Sequence, residues 1–227
     1  MKTIYIVGAG GHGRVVADIA RLNEYNDIRF LDDAVNPDLK DRYVVAGTTQ
    51  LLAQVSPGDA FIAVGDNYVR ERLFRQAEAL GWQLPNLVHP KAVVADSVVL
   101  GKGIVVMAGA VVNPDAVIED GCIINTGATV DHDDRIGEFS HVSVGAHLAG
   151  TVQVEGHAWI GAGAVVKNNC RIAEGTLVGA GVVVVKNIAE VGVYIGVPAR
   201  IMKAISYRGG VLAANADWFY RFSQLVA

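Results

Sequence analysis

An aliphatic residue returns at every sixth position from Val94 to Val184: Val94, Leu100, Val106, Val112, Ile118, Ile124, Val130, Ile136, Val142, Leu148, Val154, Ile160, Val166, Ile172, Val178 and Val184. A fixed short period of this kind specifies a solenoid, and a period of six specifies a parallel β-helix of hexapeptide repeats, three hexads to a triangular coil of 18 residues. The residue four places after each rung supports the geometry. Val98, Ile104, Ala110, Ala116, Cys122, Ala128, Ser140, Ala146, Val152, Ala158, Ala164, Cys170, Thr176 and Val182 are mostly small, as the tight inner corner of a narrow prism demands. Asp134 breaks this rule. A charge aimed at a dry interior costs several kcal/mol unless it is paired or solvated, and such a violation is expected first at a functional site. A corner bulged outward into water is the competing reading for that residue.

The ladder occupies only part of the 227 residues. Ahead of it, the β-branched run Thr3 to Val7 breaks into Gly8-Ala9-Gly10-Gly11-His12-Gly13 before a helical stretch to Arg21. A second strand is expected at Ile28 to Leu31, closed by Asp32 and Asp33, the distance at which a nucleotide-binding βαβ unit places an acid near a ribose. A third is expected at Ala60 to Val64, ending in Gly65-Asp66-Asn67, with a helix from Tyr68 to Leu80 capped by Asn67 and stopped by Gly81. The fold class is therefore α/β plus all-β. A Rossmann-like domain spans 1–86, a β-helix 87–203, and a short helical cap or extension 204–227.

A dinucleotide-binding dehydrogenase is the rival reading of the glycine string. Fewer than 90 residues precede the ladder, about half of what a dinucleotide fold requires, so the turn is expected to hold a single nucleotide or anionic group at the helix start. The bland alternative is a tight turn with two strand-capping acids. His89, in the proline-containing junction, belongs to the joint. The aromatic cluster Trp218, Phe219, Tyr220 and Phe222 is expected to cover the open end of the solenoid or to make a subunit contact.

Composition excludes several classes. A net charge of −4 without a Lys/Arg stripe argues against nucleic-acid binding, and no polybasic tail or long apolar run offers a membrane anchor. The amino terminus lacks a secretory core. Cys122 and Cys170 both fall on inward corners as small hydrophobes, so neither is a good nucleophile, and a reducing cytoplasm is the natural compartment.

The chemistry is expected where the repeat is decorated. His132 lies at an outward turn within Asp131-His132-Asp133-Asp134, where flanking carboxylates would fix its tautomer and raise its basicity, as a general base requires. Eighteen residues on, one coil above, stands Gly150, whose amide could serve as an oxyanion donor about one strand spacing, ~4.8 Å, away. His141 and His147 are expected on outward flat faces, and His147 and His157 are read as surface. His141 and His147 fall on successive faces of the prism and cannot serve one ion within a chain, so no metal is expected.

The motifs GAGGHG, NTGATVDHD, IGEFSHVSVGAHLAG, WIGAGAVV and IGVPAR together resemble the sugar acetyltransferases of the sialic acid O-acetyltransferase and UDP-bacillosamine N-acetyltransferase type. The resemblance reaches to about Lys203. It implies a left-handed β-helix, a homotrimer, and acetyl-CoA lying between neighbouring helices. It makes His132 the general base and Asp133 its orienting partner; the family's glutamate at that place is a methylene longer, so Asp131 or Asp134 could share the role. It further implies acetyl-CoA contacts at His141, Ala162 and Ala180, and a pocket for the nucleotide of the sugar donor at Gly10, His12, Asp32, Asp33 and Gly65. The expected reaction is acetylation of a nucleotide-linked amino sugar, foremost a UDP-4-amino-trideoxyhexose. Sugar O-acetylation, a GDP-linked amino sugar, and a non-catalytic nucleotide-sugar scaffold are the alternatives.

Overall fold

A computed structural model describes residues 1–34, 43–204, 207–208 and 211–212. The cluster Trp218, Phe219, Tyr220 and Phe222 lies outside the described residues.

The first four strands, β1 (Thr3–Val7), β2 (Asp27–Leu31), β3 (Val44–Gly47) and β4 (Asp59–Ile62), form one parallel sheet in the order β3-β2-β1-β4. Helix α1 (Gly11–Leu22) covers one face through Val16, Ala17, Ile19 and Ala20, and α2 (Asn67–Ala79) covers the other through Leu73, Phe74 and Ala77. With both faces covered, the strands read as apolar runs rather than as alternation. The sequence expectation missed β3, whose Val44 and Val45 are exposed at the sheet edge, and it placed the strand before α2 one or two residues late.

The start of α2 also needs correction. Asp66, not Asn67, is the N-cap, its carboxylate accepting from the Tyr68 and Val69 amides at 3.0 and 2.9 Å. Asn67 is the first helical residue, and its side-chain amide donates to His157 O at 2.9 Å. An ionised acceptor facing two orphan amides is favoured at the positive end of a helix.

From Val93 onward, two-residue strands recur every six residues and pair in parallel with partners 18 residues away, as in Ile123 with His141 and Val165 with Val183. Three sheets result, the flat faces of a prism. The rungs from Val106 to Val184 are buried, each contributing about 1.5–3 kcal/mol of transfer free energy. Beyond the last coil the chain turns back, Gly192–Ile195 pairing antiparallel with Arg200–Ala204.

The two parts share their cores. The α1 side of the sheet packs on Leu87, Val105, Met107 and Ile123, which project outward from one face of the prism, and the α2 side packs on Phe139 at the adjoining corner. Arg70 of α2 anchors this contact. Its buried guanidinium donates to Val64 O and Gly65 O at the end of β4, and to Gly121 O and Phe139 O in the coils, at 2.6–3.1 Å. It meets carbonyl oxygens and the Asn67 side chain, and desolvation draws its pKa down to about 10. No helix is long and apolar enough to cross a membrane among the described residues.

Candidate active site

The turn after Val130 assigns a different task to each of its three aspartates. Asp133, at φ 61°, brings its carboxylate to 2.7 Å from His132 Nδ1. Asp131 steadies the turn itself, accepting from the His132 amide at 2.8 Å and from Asn113 Nδ2 at 2.7 Å. Asp134 points inward and is 0% exposed, so the outward-bulge reading is excluded. Its Oδ1 accepts from Val152 N at 2.7 Å and its Oδ2 from Asp131 N at 2.8 Å, which compensates a polar group inside the prism.

With Asp133 accepting at Nδ1, the neutral imidazole keeps its proton there and leaves a lone pair on Nε2. The Asp133 hydrogen bond, aided by the field of Asp131, raises the His132 pKa above 6.5. That nitrogen faces Gly150. A Cβ added to Gly150 would lie 2.4 Å from His132 Nε2, and Thr151 N donates to His132 O at 2.9 Å, stitching the two turns together. Among the described residues nothing accepts from the Gly150 amide. The arrangement thus combines an oriented, exposed base with a free N–H one coil above it, the two elements of acyl transfer.

The other expected site residues lie elsewhere on the molecule. Ala162 and Ala180 stack 18 residues apart on a different corner, Gly181 N donating to Ala162 O at 2.8 Å, and their own amides are unaccepted among the described residues. His141 leaves the prism as expected, yet it is buried, only 7% exposed. Its Nε2 lies 3.0 Å from Asn125 Nδ2 and its ring leans on Trp159. Burial, with Arg70 and His12 nearby, holds it neutral. His12, at the start of α1, is lowered to about 4 by burial and Arg70. His12 Nε2 and His141 Nδ1 are both buried without a hydrogen-bond partner among the described residues.

The glycine turn contains two kinds of glycine. A Cβ on Gly13 would meet Gly8 O at 2.0 Å, and Gly8, at φ +103°, sits against Ala63 O, so these two close the turn on the sheet. Gly10 and Gly65 instead have nothing within 4 Å of an added Cβ among the described residues, beside the amino end of α1, which no side chain caps there. Asp32 and Asp33 stand on this edge. Asp32 accepts from Ala9 N at 2.7 Å and Ala34 N at 2.8 Å, and Asp33 from Thr49 N and Oγ1 at 2.9 Å, so both also brace loops. No contact links His132 to this edge among the described residues.

His157 corrects its reading as a surface residue. It is 8% exposed, its Nε2 lies 2.9 Å from Glu71 Oε2, and its ring stacks on Tyr68 at 4.6 Å. The helix α2 covers it, a long-range contact that the repeat does not encode. His147 does lie in solvent, its Nδ1 3.0 Å from Thr129 Oγ1, and His89 caps its own joint through the Lys91 amide. Cys122 and Cys170 are buried, and desolvation pushes the Cys122 thiol up to about 12. No group of three or more His, Cys, Asp or Glu side chains is arranged to hold a metal ion among the described residues.

Residues 3–77 match the PglD N-terminal domain family. UDP-N-acetylbacillosamine N-acetyltransferase of Bacillus subtilis (strain 168) is 39% identical over 118 residues, 48% of this chain and 52% of that protein, so the match spans about half of that curated relative. Two solved structures align over most of the chain. The acetyltransferase domain of PglB from Neisseria gonorrhoeae FA1090, in complex with acetyl coenzyme A, is 42% identical with a TM-score of 0.86, covering 88% of this chain and 99% of that one. PerB from Caulobacter crescentus, in complex with CoA and GDP-perosamine, is 40% identical with a TM-score of 0.82, covering 89% of this chain and 98% of that one. The glycine-turn domain and the decorated β-helix therefore have relatives along nearly their whole length, and the chain belongs to the sugar acetyltransferase family of the UDP-N-acetylbacillosamine N-acetyltransferase type.

Proposed function

We propose that the protein transfers the acetyl group of acetyl-CoA to the amino group of a nucleotide-linked amino sugar, foremost a UDP-4-amino-trideoxyhexose. The observation that carries this reading is the pairing of His132 Nε2 with Gly150 while Asp133 holds Nδ1 at 2.7 Å. The sugar amine attacks the thioester carbonyl carbon, and its proton passes to His132 Nε2. The Gly150 amide donates to the oxyanion that develops. Collapse breaks the C–S bond, and the CoA sulfur leaves with the proton that His132 returns. The raised basicity of His132 favours the first proton transfer. No acyl-enzyme is needed, because both thiols are buried.

The unaccepted amides of the Ala162 and Ala180 corner support acetyl-CoA lying along it, with His141 as a further contact. The amino end of α1, which no side chain caps, supports a diphosphate there, with Gly10, His12, Asp32, Asp33 and Gly65 as the nucleotide's contacts. His132 and the Ala162/Ala180 pair stand on different corners of one prism, which favours a homotrimer whose neighbouring copies complete the site. The domain limits 1–86, 87–203 and 204–227 and a cytoplasmic location belong to the same reading. A GDP-linked amino sugar is the second reading, favoured by the 40% identity to PerB.

The test is the His132→Ala variant, assayed for CoA release with acetyl-CoA and UDP- or GDP-linked 4-amino sugars. A folded variant of wild-type assembly should lose at least 100-fold in kcat. Full turnover would overturn the assignment of the base.

A further inference from the structure

Asp134 interrupts the hydrogen-bond plan of the repeat at the coil that carries Gly150. In several turns, the amide at the inner corner bonds back to the carbonyl three residues earlier, as in Ala128 N to Asn125 O at 3.0 Å, Ala146 N to Ser143 O at 3.0 Å and Ala164 N to Gly161 O at 3.1 Å, while Ala116, Cys122, Ala158 and Cys170 lack this bond. The Gly150 turn departs from this. Val152 N donates instead to the Asp134 carboxyl, Oδ1 at 2.7 Å, and Ala149 O, like Asn113 O, Glu119 O and Lys167 O, receives no donor among the described residues.

Other corner side chains show where a donor at Asp134 would reach. Asn86 Nδ2 donates to Gly101 O at 2.7 Å, Cys122 Sγ to Gly137 O at 3.2 Å and Ser140 Oγ to Glu155 O at 3.0 Å, each to the carbonyl 15 residues ahead. Thr176, beneath the last and irregular coil, finds no partner. Asn86 is the nearest analogue, because its Oδ1 also accepts from the amide 18 residues ahead, Ile104 N at 2.9 Å, as Asp134 accepts from Val152. Fifteen residues ahead of Asp134 stands Ala149.

We infer that Asp134 is a positioning residue of the acetyl-transfer site: its protonated carboxyl donates to Ala149 O, the carbonyl of the same peptide unit whose N–H belongs to Gly150. The inference deepens the reading above and rests on it. A hydrogen bond to the carbonyl end polarises the peptide and strengthens the N–H end as a donor. Ionisation removes that bond and sets a carboxylate against a carbonyl oxygen, so the oxyanion donor works best while Asp134 keeps its proton. Burial supports this, raising the Asp134 pKa to about 7 against the opposing effect of its two amide bonds. The ionisable groups acting on it are Asp131 and His132 of its own turn. The coils below and above present Ala116 and Val152 at its corner, neither of which titrates.

The test compares kcat against pH from 6 to 9 for the wild type, Asp134→Asn and Asp134→Ser. Both replacements supply a donor that cannot ionise, as Asn86 and Ser140 do at their own corners. The wild type should show a descending limb near neutral pH that both variants lack, with variant kcat at pH 6.5 within about threefold of wild type. A limb that persists in both variants, or is absent from the wild type, overturns the inference. A second measurement needs no activity. A folded pKa raised above the unfolded value gives stability that is full below pH ~4 and is lost as pH rises through ~7, so wild-type Tm should fall relative to Asp134→Ser across that window and run parallel above it. Parallel curves throughout also overturn it. A His132→Ala variant with wild-type turnover would instead defeat the base assignment, whatever Asp134 does.

Discussion

Replacing Gly150 by alanine isolates the catalytic pair from the scaffold. The added Cβ would lie 2.4 Å from His132 Nε2, 2.6 Å from Cε1 and 3.0 Å from Cδ2. Ordinary contact begins near 3.4 Å, so the ring must move by about 1 Å, and the imidazole has room to do so because its side chain is 60% exposed. Gly150 is not among the glycines held at positive φ, so its backbone accepts a Cβ without strain. Stability should therefore change by less than about 1 kcal/mol. Moving the ring pulls Nδ1 from its 2.7 Å contact with Asp133 and shifts Nε2 away from the oxyanion donor. A misplacement of about 1 Å costs on the order of 100-fold in rate. Steady-state kcat from thiol release, read beside Tm from a melting curve, separates the two effects. Gly156→Ala is the control. It stands at the equivalent turn position on the next corner, where an added Cβ meets Glu138 O at 3.3 Å and its Cγ at 3.6 Å, and it should keep kcat within about threefold. A Gly150→Ala protein with wild-type kcat would refute the argument that His132 and Gly150 act together.

Two further outcomes follow from the same geometry. Asp133→Asn removes the largest cause of the raised His132 pKa, so the ascending limb of kcat/KM should move to lower pH while the plateau falls about tenfold or more; an unmoved limb would mean that Asp133 does not hold the base. Arg70→Met leaves carbonyls of β4's end and of two coils without donors, and should cost roughly 3 kcal/mol or more in a denaturant titration, whereas an unchanged midpoint would contradict its role as the anchor between sheet and prism.

The scaffold was legible because its code is local. A period of six with small corners writes each coil separately, so the rungs, both buried cysteines and the stacking of Gly150 over His132 all follow from counting. The glycine turn was legible for a similar reason, since Gly8 and Gly13 are demanded by contacts within one strand-turn-helix unit. What counting could not give was the packing of one part on another. His157 is an outward residue of the coil that lies buried against Glu71 and Tyr68 of α2, and Arg70 looks like an ordinary charged helix residue until the coil carbonyls are in place. The task of each aspartate was likewise hidden. Adjacent residues of one type differ here only in direction, which the turn at Asp133 sets through its left-handed φ of 61°.

The proposed reaction is amide formation on a nucleotide-linked amino sugar. Mixing the protein with acetyl-CoA and a UDP-linked 4-amino-4,6-dideoxy sugar, with the GDP-linked sugar in parallel, and following both free CoA thiol and the mass of the sugar nucleotide tests it directly. Stoichiometric thiol release is expected, with a product heavier by one acetyl group in place of one amine hydrogen. Binding of the sugar nucleotide with no CoA release and no mass change, for either nucleotide, would contradict it and leave a binding scaffold in its place.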